Sequence, residues 1–269
     1  MLGHRFNHSD CLGDVPRSRA PRAPDGGIPR QNKRDRWLAW PQPRISFLSA
    51  PCYIPCLAAH EATACGIGFR SITRMAQLEF FYDLSSPWTY LAFNNVQRVL
   101  TETGSSIKWR PFLVGGVFNA VNRGVYEARE HPMDPKVVHN FTWLHEWARL
   151  AGLPLTFPTE NHPVKSVLAM RVCCALETDQ PALQRFSQAA FDAYFADGQN
   201  IDAPEVLISV ADQCGLDGQA LVSQTAEQQI KDQLRSNTEE AIKRGAYGSP
   251  TMFVGESLYF GNDQLPLVS

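Results

Sequence analysis

Residues 78 to 93, LEFFYDLSSPWTYLAF, place a strand, a short turn and a helix start in direct succession. The apolar run from Leu78 to Tyr82 has the length and aromatic content of a buried strand. Asp83, Leu84 and Ser85 then turn the chain, and Ser86-Pro87 opens a helix that continues through Tyr90, Leu91, Val96 and Leu100. Serine is a favoured N-cap, and proline suits the first helical position because its missing N–H would have no intrahelical partner there. Ser86 therefore stands where unpaired N–H groups gather about half a positive charge, and a thiolate or other anion beside its hydroxyl would be stabilised. Capping alone is also a sufficient reason for a serine at this position.

The helix stops at Gly104, and Ile107 to Val114 reads as a second strand, so that the β-α-β order implies a parallel pair with a right-handed crossover. Gly115-Gly116 reads as a loop. Beyond it, helical spacing runs from Pro135 to Leu150, again from Pro163, and from Pro181 to Phe195. Asp202-Ala-Pro-Glu205 has the form of a capping box for a helix ending at Cys214-Gly215, and Thr225 with Gln228 starts another that ends at Gly245. A strand from Tyr247 to Val254 and one from Glu256 to Phe260 are joined by too few residues to be anything but antiparallel neighbours. Gly261-Asn262-Asp263 caps one more helix, which Ser269 cuts short of a stable length.

This order is that of an α/β protein with a thioredoxin-like fold, an all-helical insertion after the second strand and the C-terminal helix largely missing. Residues 75–116 and 225–269 are expected to form the thioredoxin-like domain, and residues 117–224 the helical insertion. In that fold the loop before the third strand carries a cis proline facing the first helix, which is the position of Pro250; composition alone would give an ordinary turn proline.

Charge divides the chain near Met75. Residues 1–74 carry 11 Lys and Arg against 5 Asp and Glu, whereas residues 75–269 carry 14 against 22, so +6 and −8 give the −2 of the whole. An acidic domain argues against a phosphate-backbone partner. Eight prolines interrupt residues 1–74, which reads as a disordered Arg- and Pro-rich leader, with the functional protein expected to begin at Met75. A cytoplasmic protein is expected, or a mitochondrial one if the leader is a transit peptide. Its apolar patch from Ile45 to Leu57 is too short and broken to span a bilayer. Cys173, Cys174 and Cys214 do not form a disulfide framework, and Cys52-x-x-x-Cys56 lacks a second ligand pair, so no metal site is expected.

Five segments in order, FYDLSSPWTYLA, WRPFLVGG, PVKSVLAMR, GSPTMFV and YFGND, resemble the thioredoxin-fold group of 2-hydroxychromene-2-carboxylate isomerase, kappa-class glutathione transferase and the DsbA-like disulfide oxidoreductases. The oxidoreductases of the group carry Cys-x-x-Cys where this chain has Ser86-Pro87-Trp88-Thr89. A hydroxyl cannot form the mixed disulfide of dithiol exchange. The resemblance instead makes Ser86 the catalytic hydroxyl that donates to the thiol of bound glutathione, with Ser85 the nearest alternative. It implies that the backbone of Ser249 beside cis-Pro250 pairs with the cysteinyl part, and that Asn262 and Asp263 hold the γ-glutamyl end, a place where simple capping is an equal reading. Asn122 is a further candidate on the glutathione side.

The implied activity is isomerisation of an aromatic 2-oxo acid by thiolate addition and elimination. A kappa-like transferase or peroxidase and an inactive binding protein are the alternatives. The implied partner is a small aromatic substrate, with a homodimer possible. The chain departs from the isomerase pattern where Phe118 replaces a lysine that meets the substrate carboxylate and where Lys165 replaces a frequent asparagine. His162 reads as a solvated loop histidine.

Overall fold

In the computed structural model the described residues are 77–268, apart from Pro132 and with Arg129 described by its backbone alone. The leader, Met75 and Cys52-x-x-x-Cys56 lie outside them. Strand β1 (Gln77–Tyr82) leads through a tight turn into helix α1 (Pro87–Thr103), which returns to β2 (Ser106–Pro111). Helices α2 (Val114–Val121), α3 (Gly124–Glu130), α4 (Pro135–Ala151), α5 (Val167–Ala175), α6 (Gln180–Phe195), α7 (Pro204–Gln213), α8 (Gly218–Gln224) and α9 (Gln228–Lys243) follow. The hairpin β3 (Thr251–Val254) and β4 (Ser257–Phe260) leads to a 3₁₀ turn (Asn262–Gln264) and a one-turn helix α10 (Leu265–Val268). The sheet order is β2-β1-β3-β4: β1 runs parallel to β2 and antiparallel to β3, and β3 antiparallel to β4. This is a thioredoxin-like α/β fold.

The aromatic run of β1 explains how both faces of the sheet are covered. Successive side chains on a strand point to opposite faces, so Phe80 and Tyr82 join the larger core with Phe93, Trp109 and Phe191, while Phe81 joins Phe112, Val117 and Phe253 on the other side. The first face is closed by α1 and α6; the ring centroids of Phe93 and Trp109 lie 4.2 Å apart, and those of Phe93 and Phe191 5.2 Å apart. The second face is closed by α2 and α9, and Arg110 crosses it with its guanidinium 4.8 Å from the Phe81 ring centre. Arg110, only 7% exposed, is paired with Glu79 (3.0 Å), Glu177 (3.3 Å) and Glu240.

The expected elements exist, and their boundaries moved where local chemistry was outvoted. The second strand ends at Pro111 rather than Val114, and Gly115-Gly116 lies inside α2 instead of forming a loop. The Val114 N–H is held at 2.8 Å by the Asp83 carboxylate, so the chain turns into helix there. The helix expected from Pro163 starts only at Val167. Ala203, not Asp202, is the N-cap of α7, with no side-chain cap bond, and α9 begins after Glu227 rather than at Thr225. The strand expected from Tyr247 starts at Thr251. After β4 the final helix amounts to one turn, whose Leu265 is buried.

Candidate functional site

Helix α1 has Ser86 at its N-cap in extended geometry (φ −94°, ψ 117°) and Pro87 at its first position, as the local chemistry requires. The Ser86 hydroxyl accepts from the Thr89 N–H at 3.3 Å and donates to the Ser249 carbonyl at 3.0 Å. The Ser249–Pro250 bond is cis. Ser249 is 6% exposed, and its own hydroxyl accepts from the Asp83 N–H (3.0 Å) and shares a 2.7 Å hydrogen bond with the hydroxyl of Thr89. The start of the first helix and the loop entering β3 are thus sewn together by three polar contacts.

The other expected residues meet the same loop. Asn122, at the C-cap of α2, donates its amide to the Tyr247 carbonyl at 2.9 Å. The Pro250 carbonyl accepts from the Gly261 N–H at 3.2 Å, which sets the turn carrying Asn262 and Asp263 beside the cis proline. Asn262 is buried, and its side-chain oxygen accepts from the Asn95 amide of α1 at 2.7 Å, whereas Asp263 is exposed. Asn95 lies nine residues beyond Ser86, or about 13 Å along a helix at 1.5 Å per residue.

Beside this seam opens a cleft of about 290 Å³. Leu113, Phe118 and Val164 give it apolar walls, and Asn119, Tyr126 and Lys165 supply polar groups. Ser85 rather than Ser86 lines it. His162 also lines it and is half-buried instead of solvated: its Nδ1 stands 3.3 Å from the Tyr194 hydroxyl, and its ring packs against Phe157 at 4.7 Å.

Reading the turn Asp83-Leu84-Ser85 as a simple connector missed Asp83. Its carboxyl is fully buried and accepts from the Ser85 N–H (2.9 Å) and hydroxyl (2.8 Å) on one oxygen and from Val114 N–H on the other. Burial pushes this carboxyl above its ordinary range, against hydrogen bonds from Ser85, Val114 and the Ser166 side chain that pull it down. The available signal was an acidic residue at the carboxyl end of a buried strand, the end at which ligands bind in open α/β sheets. Thr89, at the fourth position of Ser-Pro-Trp-Thr, was likewise passed over; its hydroxyl is what fixes Ser249.

None of the three cysteines among the described residues lines the cleft. Among the described residues no group of side chains could hold a metal ion, and no helix is long and apolar enough to cross a membrane.

Comparison with known proteins agrees with the architecture. A family model described as a DSBA-like thioredoxin domain matches residues 77–269. The chain is similar to 2-hydroxychromene-2-carboxylate isomerase of Sphingobium xenophagum, 28% identical over 70% of this chain and 93% of that protein. It is also similar to glutathione S-transferase kappa 1 of Rattus norvegicus, 26% identical over 71% of this chain and 88% of the relative. A solved structure of 2-hydroxychromene-2-carboxylate isomerase superposes with a TM-score of 0.61 at 23% identity, covering 71% of this chain and 92% of that one.

Proposed function

The chain belongs to the DSBA-like thioredoxin domain family, and we propose that within it the protein is a glutathione-dependent isomerase of the 2-hydroxychromene-2-carboxylate type. One observation carries the reading: a serine hydroxyl, not a thiol, sits at the N-cap of α1, 3.0 Å from the carbonyl that precedes a cis proline. Such a site can stabilise a sulfur anion but cannot supply the sulfur.

The donor set suits glutathione. Ser86 and the α1 N-terminus would face the thiol; the backbone of Ser249 would pair with the cysteinyl part; Asp263 would meet the ammonium of the γ-glutamyl end, with Asn262 and Asn122 fixing the two loops that frame it. When bound, glutathione supplies the nucleophilic sulfur of an addition–elimination that leaves redox state unchanged. The Ser86 proton is held by Ser249 O in the structure described. A peptide N–H arriving at that carbonyl competes for it and frees the hydroxyl to turn toward the sulfur. The apolar walls of Leu113, Phe118 and Val164 exclude water from an aromatic ring.

A kappa-like glutathione transferase is the second reading, favoured by Phe118, which lines the cleft where the isomerase pattern implies a carboxylate-binding lysine. The full chain, incubated with glutathione, the hydroxychromene acid and a chloro-aromatic electrophile, separates these. Isomer interconversion without an adduct supports the first reading and a released conjugate the second. Failure of glutathione to raise the melting temperature overturns both, since a ligand specific to the folded state must stabilise it.

A further inference from the structure

Asp83 is sealed from solvent yet is connected to the cleft. Ser85 and Ser166 both line the cleft; Ser85 donates its hydroxyl to the Asp83 carboxylate at 2.8 Å, and the Ser166 side chain helps to pull the same carboxyl down. The remaining hydrogen bonds to the Asp83 carboxylate come from backbone N–H groups, those of Ser85 and Val114, and among the described residues no lysine, arginine or histidine forms an ion pair with it. Arg110, the buried cation of this fold, is committed to Glu79, Glu177 and Glu240 instead. A buried carboxylate without a cation is costly unless its hydrogen bonds repay it. Two hydroxyls connecting it to an open cleft give it something to do.

We propose that Asp83, reached through the hydroxyls of Ser85 and Ser166, stores the proton that a thiol loses in the cleft. The inference rests on the glutathione reading above. In the transfer, Ser85 Oγ takes the proton from sulfur while its own proton passes to Asp83 Oδ1. The S–H bond breaks, a carboxyl O–H bond forms, and one negative charge moves from Asp83 to the sulfur. Return of the proton along the same path restores the thiol and the carboxylate, so a full cycle exchanges no proton with solvent. Ser166 provides a second path of the same kind. Ser86 acts on the other half of the separated pair, since its hydroxyl and the α1 N-terminus hold the sulfur anion while Asp83 and its two serines hold the proton. The upward push of burial on the Asp83 carboxyl acts in the needed direction, because a carboxyl that retains protons more readily is a better store.

Proton counting tests this directly. The full chain is mixed with glutathione in weak buffer at neutral pH while a pH indicator reports protons released and ultraviolet absorbance reports thiolate formed. Melting temperature, measured in parallel, reports binding. The wild type is expected to form thiolate with almost no proton released. Ser85→Ala/Ser166→Ala, which spares the backbone contacts of Asp83, is expected either to release about one proton per thiolate formed or to lose the thiolate, with the glutathione-induced melting shift retained. Asp83→Asn should behave as the double variant does. Release of about one proton by the wild type, absence of thiolate in a wild type that binds glutathione, or a double variant indistinguishable from wild type each overturn the proton store alone. No melting shift in the wild type overturns the glutathione reading and this inference with it.

Discussion

The hydroxyl of Ser86 donates to the carbonyl of Ser249, 163 residues away, at 3.0 Å. This contact joins the N-terminus of the first helix to a loop that the chain reaches only after eight further helices. It places the dipole end of α1 and the cis Ser249–Pro250 bond within one site.

Replacing Ser86 by alanine removes both that donor and the cap on Thr89. The cap loss should cost about 1 kcal/mol of stability. Glutathione-dependent turnover should fall much further, by about 10²-fold, as when a donor to a developing anion is deleted. Thermal melts and steady-state kinetics on the same preparation check the pair; turnover equal to wild type would remove Ser86 from the chemistry.

Asp83 sets a pH dependence of defined sign. Its folded-state carboxyl titrates above the ordinary value of 3.8, so the folded state holds this proton more tightly than the unfolded chain. The stability it contributes is complete below the unfolded value and is lost as pH rises through the folded one. Asp83→Asn should therefore gain on wild type as pH rises from the carboxyl range toward neutrality. Glu177, also pushed up by burial, keeps part of the slope in the variant. Denaturant midpoints across that range measure it, and a difference that shrinks with rising pH would contradict the assignment.

Arg110→Met should destabilise the protein by about 3–5 kcal/mol, the usual cost of leaving buried charges unpaired. Burial pushes the Glu240 carboxyl up, but the hydrogen bond and charge of Arg110, with Arg244, outweigh it and hold that carboxyl low. In the variant Glu240 should titrate higher, which NMR can follow. Arg110→Lys should rescue little, since a compact ammonium cannot reach Glu79, Glu177, Glu240 and the Asn237 amide oxygen together.

Burial pushes the Cys173 thiol up to about 12, and Cys174 is raised as well, chiefly by burial. Neither should react with iodoacetamide in the native protein at neutral pH, because the thiolate is the nucleophile. Cys214, less buried, should be labelled first among these three. Peptide mapping after brief alkylation reads the order directly; early labelling at Cys173 or Cys174 would show that the core opens there.

The elements and their order could be read from the residues alone. Apolar periodicity, prolines at helix starts and glycines at helix ends are local signals, so β1, α1, the helical stretch and the closing hairpin were legible from residues within a few positions of one another. Ser86 as an N-cap was legible on the same ground. Boundaries moved where a distant partner intervened: Val114 starts a helix because Asp83 holds its N–H. What the polar residues do was settled by folding in three dimensions. The place of Asp83 at the end of a buried strand marks it as a residue to watch but does not say that Ser85 and Val114 will hold its carboxylate, and Asn122 gives no local sign that it will reach Tyr247. Hydrogen bonds between residues more than a hundred positions apart depend on how sheet and helices pack, and packing is set by the whole apolar core at once. Local pattern therefore fixes that a helix forms and, at Ser86, where it begins, while what its first residues meet is fixed by what the rest of the chain brings opposite them.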